Sequence, residues 1–173
     1  MSFILETIQT PDKKELINIL EQLQFSNHNQ SNCYEQGKSE VIEKNLIDNI
    51  LIRATENKTR LHILYEERDN KSIPCGLIAL NFEMVGEFSA LSVDLLFVSS
   101  PYRSKYFKEI DRKISHFLLD FALQEAIEMN KISQLDAVLL TAINECVKEV
   151  YIKYGFEEFS DDWLYLLMSN IEN

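Results

Sequence analysis

Three extended segments in a row constrain this chain more than anything else in it. "RLHILYEE" from Arg60, "IPCGLIALNFEMV" from Ile73 and "EFSALSVDLLFVSS" from Glu87 follow one another with short polar breaks. "RDNKS" between the first two carries turn chemistry, so they read as an antiparallel hairpin. In the third, Leu91, Val93, Leu95 and Phe97 alternate with Ser92, Asp94, Leu96 and Val98. Simple alternation places these two sets on opposite faces. Both sets turn apolar toward the C-terminal end, as in a strand covered on both sides within a mixed sheet.

Helical and extended stretches flank this run. "FILETI" reads as a first strand. Thr10 and Pro11 suit the cap and first position of a helix carrying Leu16, Ile17, Leu20 and Leu23. After the polar loop "SNHNQSNCYEQGKSE", a helix over 39–55 has Val41, Ile42, Leu46, Ile50 and Leu51 as its apolar stripe. Beyond the third strand come the segment "PYRSKYFKEIDRKIS", a helix to about Met129, the buried strand "LDAVLLTA", a helix "NECVKEVYIKYG" ended by Gly155, and a last strand "DDWLYLLMSN". The order β-α-α-β-β-β-α-β-α-β predicts one α/β domain over residues 1–173, with a mixed, mostly antiparallel sheet flanked by helices.

Composition narrows the function classes. With 46% hydrophobic and 26% charged residues the chain is of the soluble globular type. No basic leader or long apolar run is seen, so a cytoplasmic location is the expectation. Cys33, Cys75 and Cys146 are widely spaced and form no C-x-x-C pair, which argues against a zinc knuckle or dithiol site and reads as three reduced thiols. The three histidines form no metal-ligand spacing. A net charge of −11 argues against a nucleic-acid partner on electrostatic grounds. Against that background, the stretch from Arg103 to Lys113 holds five basic and two acidic residues. Such a local excess suits an anion site.

Two motifs give these pieces a shared meaning. "FVSSPYRSK" is an apolar strand end followed by a basic turn, and "EVYIKYGFEEF" contains Tyr151-x-x-x-Gly155-Phe156 after a buried strand. In this order and spacing they resemble the GNAT N-acetyltransferase superfamily, over about residue 60 to the end. The family's second motif, Leu/Phe-Tyr-x-x-x-Gly-Phe, is kept. Its first, Arg/Gln-x-x-Gly-x-Gly/Ala, is kept only to Lys105. Position 106 is Tyr and 108 is Lys, and no glycine occurs between Arg103 and Ser115. The simplest alignment inserts about seven residues, Tyr106 to Arg112, before the helix.

The resemblance implies direct acetyl transfer from acetyl-CoA, as co-substrate, to an amine of a small molecule or protein. It assigns Phe97, Val98 and Ser99 to the pantetheine arm. It assigns Arg103, Ser104 and Lys105, with Lys113, Ile114, Ser115 and His116 at the following helix, to the phosphates, and Asn144 to the cofactor side. Tyr151 matches the residue that protonates the leaving thiolate. Asp94 and Glu83 are candidate bases beside a water chain. Homodimers are common in the family. Two other readings stand beside this one: a non-catalytic binding domain that has lost CoA, and a toxin-type acetyltransferase acting on aminoacyl-tRNA.

Overall fold

The computed structural model describes residues 2–9, 12–25, 39–143, 145–160 and 162–171. Its centre is a seven-stranded sheet of order β1-β2-β3-β4-β7-β9-β8. The strands are β1 (Ser2–Thr7), β2 (Arg60–Arg68), β3 (Lys71–Val85), β4 (Phe88–Val98), β7 (Ala137–Thr141), β8 (Glu157–Ser160) and β9 (Trp163–Leu167). All neighbours are antiparallel except β4 and β7. The helices are α1 (Lys13–Glu21), α2 (Ser39–Thr55), α3 (Ile114–Asn130), α4 (Glu145–Lys153) and the short α5 (Met168–Ile171). A 3-10 turn (Ser100–Tyr102) and a two-stranded hairpin, β5 (Tyr106–Phe107) with β6 (Arg112–Lys113), fill the segment before α3.

This is the expected mixed α/β order with three additions. The segment before α3 is a hairpin. The last strand region is a pair, β8 and β9, and Met168 onward is helical. The β2–β3 turn is tight because Asp69 and Asn70 both take positive φ, 51° and 59°. That is the backbone a two-residue hairpin turn needs, and Asx residues tolerate it. The cap of α1 is Asp12, whose side chain accepts from Lys14 N–H; Thr10 and Pro11 lie outside the described residues.

Each sheet face carries its own core. One is covered by α1 and α2, with Leu16, Ile47, Leu61, Leu77 and Phe97. The other is covered by α3 and the C-terminal elements, with Leu64, Ile78, Leu118, Leu140 and Phe156. The buried stripe of α2 differs from the expected one. It is Glu43, Ile47, Ile50 and Ala54, while Val41 is 59% exposed. Apolar spacing did not select it because one of its members is a carboxylate. Cys75 is a buried thiol, but Cys146 is disulfide-bonded, which corrects the reduced reading.

The alternation expected for β4 fails at one residue. Val93 pairs with Leu80, whereas Leu95 pairs with Ala79, so Asp94 is an extra residue in the strand. A bulge of this kind flips the side chains that follow it. Leu91 and Val93 face α3, but Leu95 and Phe97 face α1 and α2. Leu96 and Val98 take their place on the α3 face.

Candidate active site

The bulge coincides with a parting of strands. β4 pairs with β7 only from Ala90 to Val93, against Ala137 to Leu140. From Asp94 to Val98, β4 pairs with β3 alone among the described residues, and its β7-facing edge is unpaired there. Backbone hydrogen bonds show which groups face that opening. Ser99 N–H donates to Cys75 C=O at 2.9 Å, so Ser99 and Cys75 form a hydrogen-bonded pair. In an antiparallel ladder such pairs alternate with pairs whose groups point outward. Ser99 and Phe97 therefore spend their backbone groups on β3. Val98 and Leu96 aim theirs into the opening. Of Phe97, Val98 and Ser99, Val98 alone turns its backbone groups to the opening; Leu96, which the sequence reading did not select, does so as well. Only a bulge and a register reveal this, and neither is written in the residue types.

The glycine-free loop after β4 is fixed by side chains instead of by a tight turn. Ser99, 1% exposed, accepts from Gln24 N–H at 2.9 Å through its hydroxyl, and Ser100 N–H donates to Gln24 C=O at 2.8 Å. Tyr102 donates to the buried carboxylate of Glu66 at 2.5 Å, and burial with that hydrogen bond pushes the phenol's pKa far up. Phe107 packs on Tyr102 and, edge to face, on Phe3 at 5.2 Å. The inserted aromatic Phe107 thus packs against β1 and the 3-10 turn. Tyr106 is 59% exposed and its hydroxyl binds Asp111.

Arg103 serves this scaffold. Its Nε donates to Val98 C=O at 2.7 Å, its Nη1 pairs with buried Glu43 at 2.9 Å, and its guanidinium lies 5.2 Å from the Phe97 ring centre. It therefore ties the end of β4 to α2 and caps one of the outward carbonyls. Ser104 has φ of 60° and is exposed. That positive φ is uncommon for a residue with a Cβ.

The other expected anion residues gather at the start of α3. Lys113 is its N-cap residue and makes no side-chain cap, and no acidic residue occupies the first turn. The first N–H groups of this 17-residue helix, at Ile114, Ser115 and His116, are then open to an anion. Lys105, Lys108 and Lys113 are exposed and have no ion pair among the described residues. Ile114 itself is buried, 1% exposed, against the sheet at Gly76. Burial, then the charges of Lys113 and Arg112, lower the His116 pKa, so this imidazole is neutral near pH 7.

Tyr151 lies on α4, 9% exposed, near Phe156. Its hydroxyl has no hydrogen-bond partner among the described residues. Burial raises its pKa to about 12. Asn144 lies outside the described residues. Asp94 is held by Arg53 at 2.9 Å and Glu83 shares the same guanidinium at 3.8 Å. Both carboxylates are thus engaged with a guanidinium of α2.

A cavity of about 320 Å³ lies at the other end of the sheet, where β4 begins. Thr59, His62, Leu80, Leu91 and Glu125 are among its walls. His62, buried and bonded to Thr7 Oγ1 at 2.9 Å, is depressed to about pKa 4 by burial and by Arg60. Of β4 it is Leu91 that lines this cavity, and none of Asp94 to Val98 does, so it is separate from the opening beside β7.

Comparison with known proteins finds no matching family model and no matching curated sequence. Solved structures do match in shape. A tyrosine-to-phenylalanine mutant of KacT superposes with a TM-score of 0.68 at 13% identity, over 99% of this chain and 98% of that one. AtaTR bound with acetyl-CoA gives 0.66 at 12%, over 99% and 96%. AtaT complexed with acetyl-methionyl-tRNAfMet gives 0.66 at 13%, over 99% and 98%. The chain shares the fold of these structures, the GNAT-like mixed α/β arrangement expected from its sequence.

Proposed function

We propose that the protein is an acetyl-CoA-dependent N-acetyltransferase acting by direct transfer. The observation that carries this reading is the opening between β4 and β7. It has outward backbone groups at Leu96 and Val98 along one side, and an uncapped α3 N-terminus with free lysines follows it. An acyl-pantetheine arm is an amide chain ending in phosphates. Amides pair with strand edges, and phosphates suit a helix N-terminus. Both kinds of partner are present without the usual glycine turn. Arg103 is then a residue that shapes the groove, while Lys105, Lys113, Ser115 and His116 hold the phosphate positions.

The reaction joins the amine nitrogen to the thioester carbonyl carbon and breaks the carbon–sulfur bond. The amine loses one proton and the sulfur gains one. Val98 N–H is the donor assigned to the developing oxyanion. Tyr151 is assigned to the sulfur. A phenol at about pKa 12 stays protonated and so remains a donor. Full transfer to a free thiolate, pKa about 8.5, would be uphill. Tyr151 therefore acts by hydrogen bonding to the sulfur as it departs, and the proton released by the amine completes the thiol.

For the acceptor, the fold neighbours favour the aminoacyl-tRNA reading over the weight that bulk charge gave it. AtaT is complexed with acetyl-methionyl-tRNAfMet. A net charge of −11 does not override the free lysines at 105, 108 and 113. The test is release of CoA thiol from acetyl-CoA with two acceptor panels, aminoacyl-tRNAs and small polycationic amines. Turnover confined to the first panel selects the tRNA reading and turnover confined to the second selects small amines. A protein that binds acetyl-CoA and turns over with neither panel would remove both readings.

A further inference from the structure

Asp120 stands one helical turn after His116 on α3, and each of its carboxylate oxygens takes a different partner. Arg112, on the inserted hairpin, donates to Oδ2. Tyr154, at the end of α4, donates its hydroxyl to Oδ1. The Tyr154 ring also meets the His116 ring edge to face, 5.4 Å between centres. Three separate pieces of the chain meet on this one carboxylate. They are the insertion that replaces the glycine turn, the helix whose start is assigned to phosphate, and the helix that carries Tyr151.

The connection to Tyr151 is short. Tyr154 follows it by three residues, so both lie on one side of α4. Tyr154 N–H also donates to Tyr151 C=O at 2.9 Å. The connection to the insertion is equally direct. Arg112 immediately precedes Lys113, the N-cap of α3, and pairs with Phe107 across the hairpin. A glycine turn fixes a phosphate loop through its own backbone. This loop has no such turn, and Arg112 is the residue that returns it to the helix. Asp120 is 36% exposed in its side chain and Arg112 42%, so the pair adds little to global stability. Its consequence is where the hairpin and α4 sit relative to α3.

We propose that Asp120 is a positioning residue that fixes the inserted hairpin and the Tyr151-bearing helix against α3 at once. It couples cofactor affinity to turnover through two separate bonds. This rests on the acetyltransferase reading for its kinetic consequence, but not for the coupling itself.

Three variants of the full chain separate the two arms: Arg112→Gln, Tyr154→Phe and Asp120→Ala. Arg112→Gln should raise the acetyl-CoA KM about tenfold with kcat within about twofold, the order set by one charge-assisted hydrogen bond. Tyr154→Phe should lower kcat by about the same order and leave that KM nearly unchanged. Asp120→Ala should do both, and adding Arg112→Gln to it should raise KM no further. Multiplying effects in the double variant would overturn the proposal, as would an Asp120→Ala protein with wild-type kcat and KM. Hydrogen exchange decides the coupling even in a protein that binds no acetyl-CoA. Asp120→Ala should lower protection in both 106–113 and 150–154, Arg112→Gln only in the first and Tyr154→Phe only in the second. An Asp120→Ala protein with either segment unchanged contradicts the shared anchor. Failure of acetyl-CoA to bind would instead count against the transferase reading.

Discussion

Replacing Gly76 by alanine should move α3 and with it the proposed phosphate site. Gly76 lies on β3 opposite Val98. A Cβ there would come within 2.9 Å of Ile114 Cγ2 and 3.0 Å of Leu118 Cδ1. The Leu118 atom is the far end of a flexible side chain and can rotate away. The Ile114 atom is a branch methyl next to the helix backbone, and β-branched residues in helices have essentially one χ1 rotamer. The first turn of α3 must therefore lift off the sheet. Overpacking of this kind costs about 2 kcal/mol, within the usual range of roughly 1–3. For a chain of this length that lowers Tm by about 4–8 °C. The same shift displaces the N–H groups of Ile114, Ser115 and His116, so acetyl-CoA affinity should fall by about an order of magnitude, the effect of misplacing one charge-assisted contact. Thermal unfolding and calorimetric titration measure the two effects. Adding Ile114→Ala should recover part of the lost stability, because the new methyl enters the space that the isoleucine leaves. Gly86→Ala is the control. Its φ is +66° and nothing lies within 4 Å, so it costs backbone strain of about 1 kcal/mol and leaves acetyl-CoA affinity alone. A Gly76→Ala protein with unchanged Tm and unchanged affinity would refute the close packing of α3 on β3 as the device that sets the site.

Three further outcomes are expected. Tyr151→Phe should reduce kcat by about one to two orders of magnitude, roughly the span of losing one hydrogen bond to a charged group, while the acetyl-CoA Kd stays within about threefold; equal loss of both would make Tyr151 a packing residue. Burial holds the folded His62 at a pKa of about 4, below the ordinary 6.5 of a free imidazole. The unfolded state then binds more protons between those values, so stability is full above about pH 6.5 and falls as pH drops toward 4, by up to about 3 kcal/mol. His62→Gln should flatten that part of a stability–pH curve, and an unchanged slope would contradict the buried neutral imidazole. Cys75, raised to about pKa 12 by burial, should resist maleimide in the folded protein and react at once in denaturant, read by mass spectrometry of its peptide; rapid labelling under native conditions would mean that β3 opens.

Much of the fold was legible because it is written in periodicity. The element order follows from alternating and helical spacing, and the Y-x-x-x-G-F stretch fixed where α4 meets the last strands. What was not legible depends on geometry that no single residue announces. The bulge at Asp94 reverses the faces of Leu95 and Phe97, yet Asp94 looks like an ordinary solvent-side position. Glu43 sits in the buried stripe of α2 because Arg103 meets it from sixty residues away. Asp120 gave no signal at all, since its partners come from a hairpin and a later helix. The missing glycines were read as an absence, and the structure shows side-chain bonds from Ser99, Tyr102, Arg103 and Arg112 in their stead. Lys113, Ile114, Ser115 and His116 stand together at the start of α3, whereas Arg103 is turned toward Val98 and α2.

Isothermal titration of the intact protein with acetyl-CoA tests the central claim most directly. The opening between β4 and β7 and the free N-terminus of α3 predict saturable binding with one site per chain. That binding should weaken in Lys113→Gln, and it should weaken as salt is raised. No heat and no saturation at millimolar acetyl-CoA would contradict the claim, and would leave a GNAT fold whose groove serves another ligand.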